Sequence, residues 1–327
     1  MFTEAIQLIE QAKHVAIIQA ENPDGDSLGS ALALDELLTD KQTTLYCPVD
    51  IPKYLRYIAG WDRVISDFPF KADLAIIVDT SADVLLSKVL QVAGARHFLE
   101  SHPVLIIDHH TESDNTISFE HTFLSKPAIS SSEIIFQLAK QANWQISTLA
   151  ATHMLEAQLS DSLGLSIQTV TPENYRITAE LTELGAHVAD IESRRREFMK
   201  KAPEILEYKG QLLQRIEYFL DNRLAIVHIP FNEIEQYSDK YNPSVLVLDE
   251  LRLVEGVELA VAIKTYPDGK LTGKLRSNIP ISEQVAGYFG GGGHKYAAGF
   301  RVYDAYDTVI KELLDASSKA LEAYENI

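Results

Sequence analysis

Two carboxylates, Asp24 and Asp26, stand two residues apart in the stretch Asn22-Pro23-Asp24-Gly25-Asp26-Ser27-Leu28-Gly29-Ser30. Like charges at that spacing repel one another. A cation placed between them turns the repulsion into binding, and hard divalent cations favour oxygen ligands. Side chains of the same kind recur downstream as Asp79 in Asp79-Thr80-Ser81, as Asp108-His109-His110, and as Asp161 among the small residues of Leu159-Ser160-Asp161-Ser162-Leu163-Gly164. Oxygen donors with one or two imidazoles suit Mn2+, and paired cations activate water near neutral pH. The plainer reading of the first stretch is an Asp-Gly turn leading into a helix, with Asp26 or Ser27 as its N-cap.

The elements that would position these groups are legible around them. Val15-Ala16-Ile17-Ile18 precedes the first pair and reads as a buried strand, and Ala31 to Leu38 reads as a helix. Pro23 and Gly25 would fix the turn, and Gly29 would let the helix pack closely on the sheet. Leu74 to Val78 and Val104 to Ile107 are apolar, β-branched runs that end at Asp79 and at Asp108. Thr44 to Cys47 suggests a further short strand. Helical patterns at 3–13, 83–92, 131–142, 147–158 and 173–186 alternate with these strands, which predicts a mostly parallel α/β sheet. Parallel strands share one C-terminal edge, where open α/β sheets bind ligands, so the polar tips converge there. Asp161 is expected in a loop after the helix at 147–158, and Ser130-Ser131-Ser132 ahead of Glu133 as a helix N-cap.

The second half follows a charged segment, 188–217, expected as one long connecting helix between a first domain at 1–187 and a second at 218–327. Strands are expected at 224–229, 244–248, 257–265 and 271–276, with Tyr266-Pro267-Asp268-Gly269 as a hairpin turn. The run Gly290-Gly291-Gly292-Gly293-His294 would leave backbone N–H groups bare for an anion, with a helix starting just after it.

Composition bounds the function. The formal net charge of −18 over 327 residues argues against a partner such as a long nucleic-acid duplex, which needs a basic face. The densest basic cluster, Arg194-Arg195-Arg196 with Lys200 and Lys201, reads as a solvated helix face. No apolar run approaches the roughly 20 residues that span a bilayer, so no membrane partner is expected. The first residues lack the basic-then-apolar order of a signal peptide, and Cys47 is the single cysteine; both suit a cytoplasmic protein. His14, His97, His102, His121, His153, His187 and His228 carry no motif and read as surface or satisfied core residues.

The order Asp24-x-Asp26, Asp79, Asp108-His109-His110 and Asp161 resembles the DHH phosphoesterase superfamily. Lys274-Leu275-Arg276-Ser277-Asn278, then Gly290 through His294 and Ala297-Ala298-Gly299, resembles the DHHA1 domain that accompanies it. The resemblance spans nearly the whole chain and is nearest the nanoRNase and phosphoadenosine-phosphate phosphatase branch. It implies an N-terminal α/β domain with a mostly parallel sheet flanked by helices, plus a smaller α/β domain. It also implies two Mn2+ or Mg2+ ions, with Asp79 bridging, Asp26, His109 and Asp161 completing one site, and Asp24 in the other. His110 would stand next to the phosphate as donor or proton carrier, while Arg276, Ser277, Gly291, Gly292, Gly293, His294 and Ser132 would hold substrate. The implied reaction is hydrolysis of short oligoribonucleotides, or of 3′-phosphoadenosine 5′-phosphate. The alternatives are a cyclic or linear dinucleotide phosphodiesterase, and a nucleotide-binding protein impaired in catalysis. One position departs from the pattern: the family's His four residues before the first Asp is Ala20 here. That removes an imidazole from the first metal site, leaving one ion where the loss is complete, unless a neighbour such as Glu21 substitutes. The long connecting helix could carry a homodimer interface.

Overall fold

A computed structural model describes residues 2–110 and 115–326. It divides into two compact units, Met1–Lys200 and Lys201–Ile327. In the first unit α1 (Phe2–Gln11) leads into β1 (His14–Ile18), α2 (Gly25–Leu37), β2 (Gln42–Tyr46) and β3 (Leu74–Val78). Then come α3 (Ser87–Gln91), α4 (Ala95–Ser101), β4 (Val104–Asp108), β5 (Thr122–Ser125), α5 (Ser131–Gln141), α6 (Thr148–Asp161), α7 (Pro172–Glu183) and α8 (Val188–Phe198).

The sheet order is β2-β1-β3-β4-β5, and every pairing is parallel. The strands are apolar without interruption because helices cover both faces. Alternate residues serve the two sides. Val15, Ile17, Leu74, Ile76, Leu105 and Ile107 pack with α1, α2, α5 and α6. Ala16, Ile18, Ala75, Ile77, Val104 and Ile106 pack with α3 and α4. The strand order reverses between β1 and β3, so the connections leaving these strands part in opposite directions and open a crevice at their C-terminal ends. Asp24 and Asp26 follow β1, and Asp79 follows β3, which puts them at this crevice.

Helix α2 is buried almost all round, between the sheet and α6. Gly29 makes its close approach to α6, not to the sheet as expected: a Cβ there would lie 2.8 Å from the His153 carbonyl and 2.9 Å from the Ala157 Cβ. The N-cap is Asp24, not Asp26 or Ser27. Its carboxylate accepts from the Ser27 amide, and the Ser27 hydroxyl meets the Asp24 amide in return. Asp161 is the last residue of α6, not a loop residue, because the helical pattern runs on past Gln158.

The second unit contains α9 (Pro203–Gln214), β6 (Glu217–Phe219), β7 (Leu224–Ile229), α10 (Phe231–Tyr237), α11 (Pro243–Arg252) and β8 (Leu259–Thr265). It continues with β9 (Lys270–Ser277), α12 (Ser282–Tyr288), β10 (Gly292–His294), β11 (Ala297–Tyr303) and α13 (Tyr306–Glu325). Its sheet, β10-β11-β9-β8-β7-β6, is mixed, with β7 and β8 parallel and the other pairs antiparallel. Residues 244–248 are helical in α11, not a strand: Asn242 caps the Ser244 amide and Pro243 starts the helix, overriding the β-branched run. The segment 188–217 is not one connecting helix. It is broken at Lys200–Ala202, Pro203 begins α9, and α8 and α9 fall in different units. The run after Gly290 forms a β-hairpin instead of a helix start, because Gly293, at φ +146°, lies against Ala297 and Ala298 where no Cβ would fit.

Candidate metal centre

The first unit brings four sequence-separated side chains to one point. His109 Nε2 lies 3.3 Å from Asp161 Oδ2, 3.6 Å from Asp79 Oδ1 and 3.8 Å from Asp26 Oδ2. Three carboxylates and one imidazole thus face a common space. The His109 Nδ1–H is 3.2 Å from the Ala128 carbonyl and donates to it, which leaves the Nε2 lone pair directed at the carboxylates. This donor set fits a hard divalent cation of the Mn2+ or Mg2+ type.

Each ligand is held from behind. Asp26 is fully buried and accepts from the Ser131 amide at 2.7 Å, the Ser132 amide at 3.4 Å and the Ser30 hydroxyl at 3.0 Å. The amides belong to the first turn of α5, so the orphan N–H groups and dipole of that helix support the carboxylate. Ser130 occupies the N-cap position but its side chain makes no capping bond; Asp26 does that work from another element. The Ser131 hydroxyl donates to Asp79 Oδ1 at 3.0 Å. Asp79 has φ +60°, a left-handed conformation that Asp tolerates better than most residues, and its amide still bonds to the Ile107 carbonyl.

Confinement of these acids raises their proton affinity. Burial pushes Asp79 well above the usual carboxylate range, and the charges of Asp26 and Asp24 add to it. Burial also raises Asp26, against the opposing pull of His109. Asp161 is pushed up to about 6 by burial and then by the charge of Asp26. A bound cation would offset this cost by favouring the ionised forms.

Asp108 and His110 form a second pair beside the first. Asp108 is fully buried, and its Oδ1 meets the His110 Nδ1 at 2.6 Å and the His110 amide at 3.1 Å. Burial alone would raise the Asp108 pKa; the bonds from His110 and Ser81 outweigh it and hold the carboxyl low. Nδ1 of His110 is therefore committed to Asp108. A cavity of about 550 Å3 adjoins the two histidines and is walled further by Phe123, Lys126 and Thr169.

Residues 14–163 match the family model for the DHH family, N-terminal domain. That match spans most of the first unit. The chain is 25% identical over 331 residues to the bifunctional oligoribonuclease and PAP phosphatase of Thermus thermophilus, covering 98% of this chain and 94% of that protein. It is 22% identical over 320 residues to the enzyme of the same name from Bacillus subtilis, covering 96% and 97%. A crystal structure of an exopolyphosphatase-related protein from Bacteroides fragilis shares the fold, with a TM-score of 0.82 at 22% identity over 99% of this chain and 96% of that one.

Other expected site residues of the chain fare differently. Ala20 is buried at the end of β1 and offers no donor. The Glu21 carboxylate accepts from the Ser87 hydroxyl at 2.7 Å and the Lys88 amide at 2.8 Å, so it caps α3 and does not replace the missing imidazole. Ser132, expected at the substrate, is buried and its hydroxyl donates to the Met154 carbonyl at 3.0 Å; Ser131 is the serine that reaches the cage. In the second unit Ser277 is also buried, bonded to Ser282 and to the Lys295 carbonyl. Arg276 is half-buried on β9, its Nη1 donating to the Leu275 carbonyl. Gly292, Gly293 and His294 form the exposed edge strand β10, and Gly291 immediately precedes it.

Sequence reasoning missed the supports. Ser30 was read only as part of the Asp24 stretch and Ser131 only as part of a helix cap, and the Ala128 carbonyl carries no motif. Glu133 was read only as part of a capping pattern, yet it is buried and accepts from Gln158 and from Asn174, tying α5 to α6 and α7. Arg194 is not simply a solvated charge: it pairs at 2.9 Å with the buried Glu156, which also bonds the fully buried His153.

Proposed function

We propose that this chain is a cation-dependent phosphohydrolase acting on short oligoribonucleotides and on 3′-phosphoadenosine 5′-phosphate. The observation that carries the reading is the convergence of Asp26, Asp79 and Asp161 on the Nε2 of His109 beside the Asp108–His110 pair. The activities named for the Thermus and Bacillus relatives supply the substrate class. An acidic chain with a local site suits short substrates better than long duplexes.

When bound, the cation, for which we propose Mn2+, supplies Lewis-acid polarisation of the phosphoryl group and a more acidic water. The residues do the rest. Asp26, Asp79, Asp161 and His109 fix the coordination geometry, with their own positions set by Ser30, Ser131, the start of α5 and the Ala128 carbonyl. His110, as the imidazolium oriented by Asp108, would deliver its Nε2 proton to the leaving oxygen as that P–O bond breaks, while the water oxygen forms the new P–O bond and releases its proton to solvent. Within the second unit, Arg276 and residues 291–294 are proposed to take up a phosphate. The alternative of a binder impaired in catalysis draws on Ala20, but a binder has no need of this cage with its supports.

A substrate panel tests the reading: an RNA dinucleotide, a pentanucleotide, 3′-phosphoadenosine 5′-phosphate and a long RNA duplex, each in Mn2+. Mononucleotide release from the short RNAs or phosphate release from the bisphosphate, with the duplex untouched, is the expected result. Inactivity on every short substrate would sink it.

A further inference from the structure

We infer that the first unit holds one divalent cation, in the cage of Asp26, Asp79, His109 and Asp161, and that Asp24 serves as a helix cap and not as a ligand to a second ion. The inference rests on the cation-dependent reading above, and concerns how many ions the residues present can hold.

Among the described residues, two groups of side chains bring ligand atoms close enough to share a cation: Asp79, Asp108, His109 and His110, and Asp26, His109 and Asp161. Both need His109. Its Nδ1 is spent on the Ala128 carbonyl, so a single nitrogen, Nε2, remains to serve them, and one lone pair ligates one ion. Without His109 the first group would rest on Asp79 and on the Asp108–His110 pair, whose Oδ1 and Nδ1 are already bonded to each other across 2.6 Å. What is left of the two groups is one cage.

Asp24 falls in neither group. It sits in extended conformation at the start of α2, with Oδ1 accepting the Ser27 amide at 3.0 Å and its own amide paired with the Ser27 hydroxyl at 3.0 Å. Among the described residues, the neighbours that could complete a second ion's shell are engaged elsewhere or lack a donor. Position 20 presents a methyl group, 5% exposed. Glu21 faces the start of α3, held by Ser87 and Lys88. A second cation would therefore find Asp24 and whatever Asp79 could share, with water for the remainder, which is too few protein donors to retain it.

Equilibrium dialysis of the full chain against Mn2+, with bound metal measured by elemental analysis, decides the matter without reference to turnover. Expected is one Mn2+ per chain. Asp24→Asn keeps the cap, since Asn caps as well as Asp, and should still bind one Mn2+ with a Kd within twofold of the parent. Asp161→Asn should weaken binding at least tenfold. Two ions per chain, none, or a tenfold loss in Asp24→Asn would each overturn the inference. Failure here is separable from failure of the functional reading: two ions with dinucleotide cleavage overturns only the ion count, and one ion without cleavage overturns only the activity.

Discussion

Asp79 carries two burdens at once: a left-handed backbone and a carboxylate crowded by Asp26 and Asp24. Asn tolerates that backbone as Asp does. Asp79→Asn should therefore fold, should lose turnover by about a hundredfold or more, since even partners outside the ligand shell are worth roughly 10–100-fold, and should raise the Tm of the metal-free protein by removing a buried like charge. Ser131→Ala takes away one such partner and should weaken Mn2+ affinity by about 10–100-fold; unchanged affinity would mean that the Ser131–Asp79 bond does not position the ligand. Asp161, held up near 6, gives a pH signature. An unfolded carboxyl titrates near 4, at about 3.9. Between those values the folded chain keeps a proton that the unfolded chain releases, so this group's contribution to stability is present at low pH and is lost as pH rises. The Tm of metal-free Asp161→Asn should accordingly gain on the parent from pH 4 to pH 7, and excess Mn2+ added to the parent should close the gap. A constant difference across that range would contradict the assignment. Asp26, Asp79, His109 and Asp161, which the structure brings together, were legible in the sequence, the first three beyond apolar runs and Asp161 after a helix. Ser30 and the Ala128 carbonyl were not, because a hydroxyl or a backbone oxygen becomes a support only through tertiary contact.

The crevice depends on how closely α2 lies against α6, because Asp26 rides on the first helix and Asp161 ends the second. Gly29→Ala places a methyl 2.8 Å from the His153 carbonyl, so one helix must move. We expect destabilisation on the order of 1–3 kcal/mol, read by denaturant unfolding, together with weaker Mn2+ binding; full stability would show that the packing has slack. Strands β1, β3 and β4 were readable because burial on both faces leaves only apolar side chains. Residues 244–248 were misread for the same kind of reason: an apolar β-branched run suits strand or buried helix alike, and Asn242-Pro243 was the signal that decided it. The helix start expected after the glycine run was misread because four glycines also permit a tight hairpin. The choice was made by Ala298 and Phe300, whose alternating burial marks β11.

Each unit has its own apolar clusters, on both faces of its own sheet. The division at Lys200 and Lys201 escaped a sequence reading that saw one charged helix, since charge density conceals the helix break ahead of Pro203. Both lysines are exposed between α8 and α9. Limited trypsin digestion should cut there first and leave two resistant fragments; early cutting within either unit would contradict the division. Among the described residues no helix is long and apolar enough to cross a membrane. The central claim is that the cage around His109 performs the chemistry, and its most direct test is mononucleotide release from an RNA dinucleotide in Mn2+ by the parent chain and by Asp79→Asn. The account predicts release by the parent and almost none by a variant that remains folded; comparable release by both would contradict it.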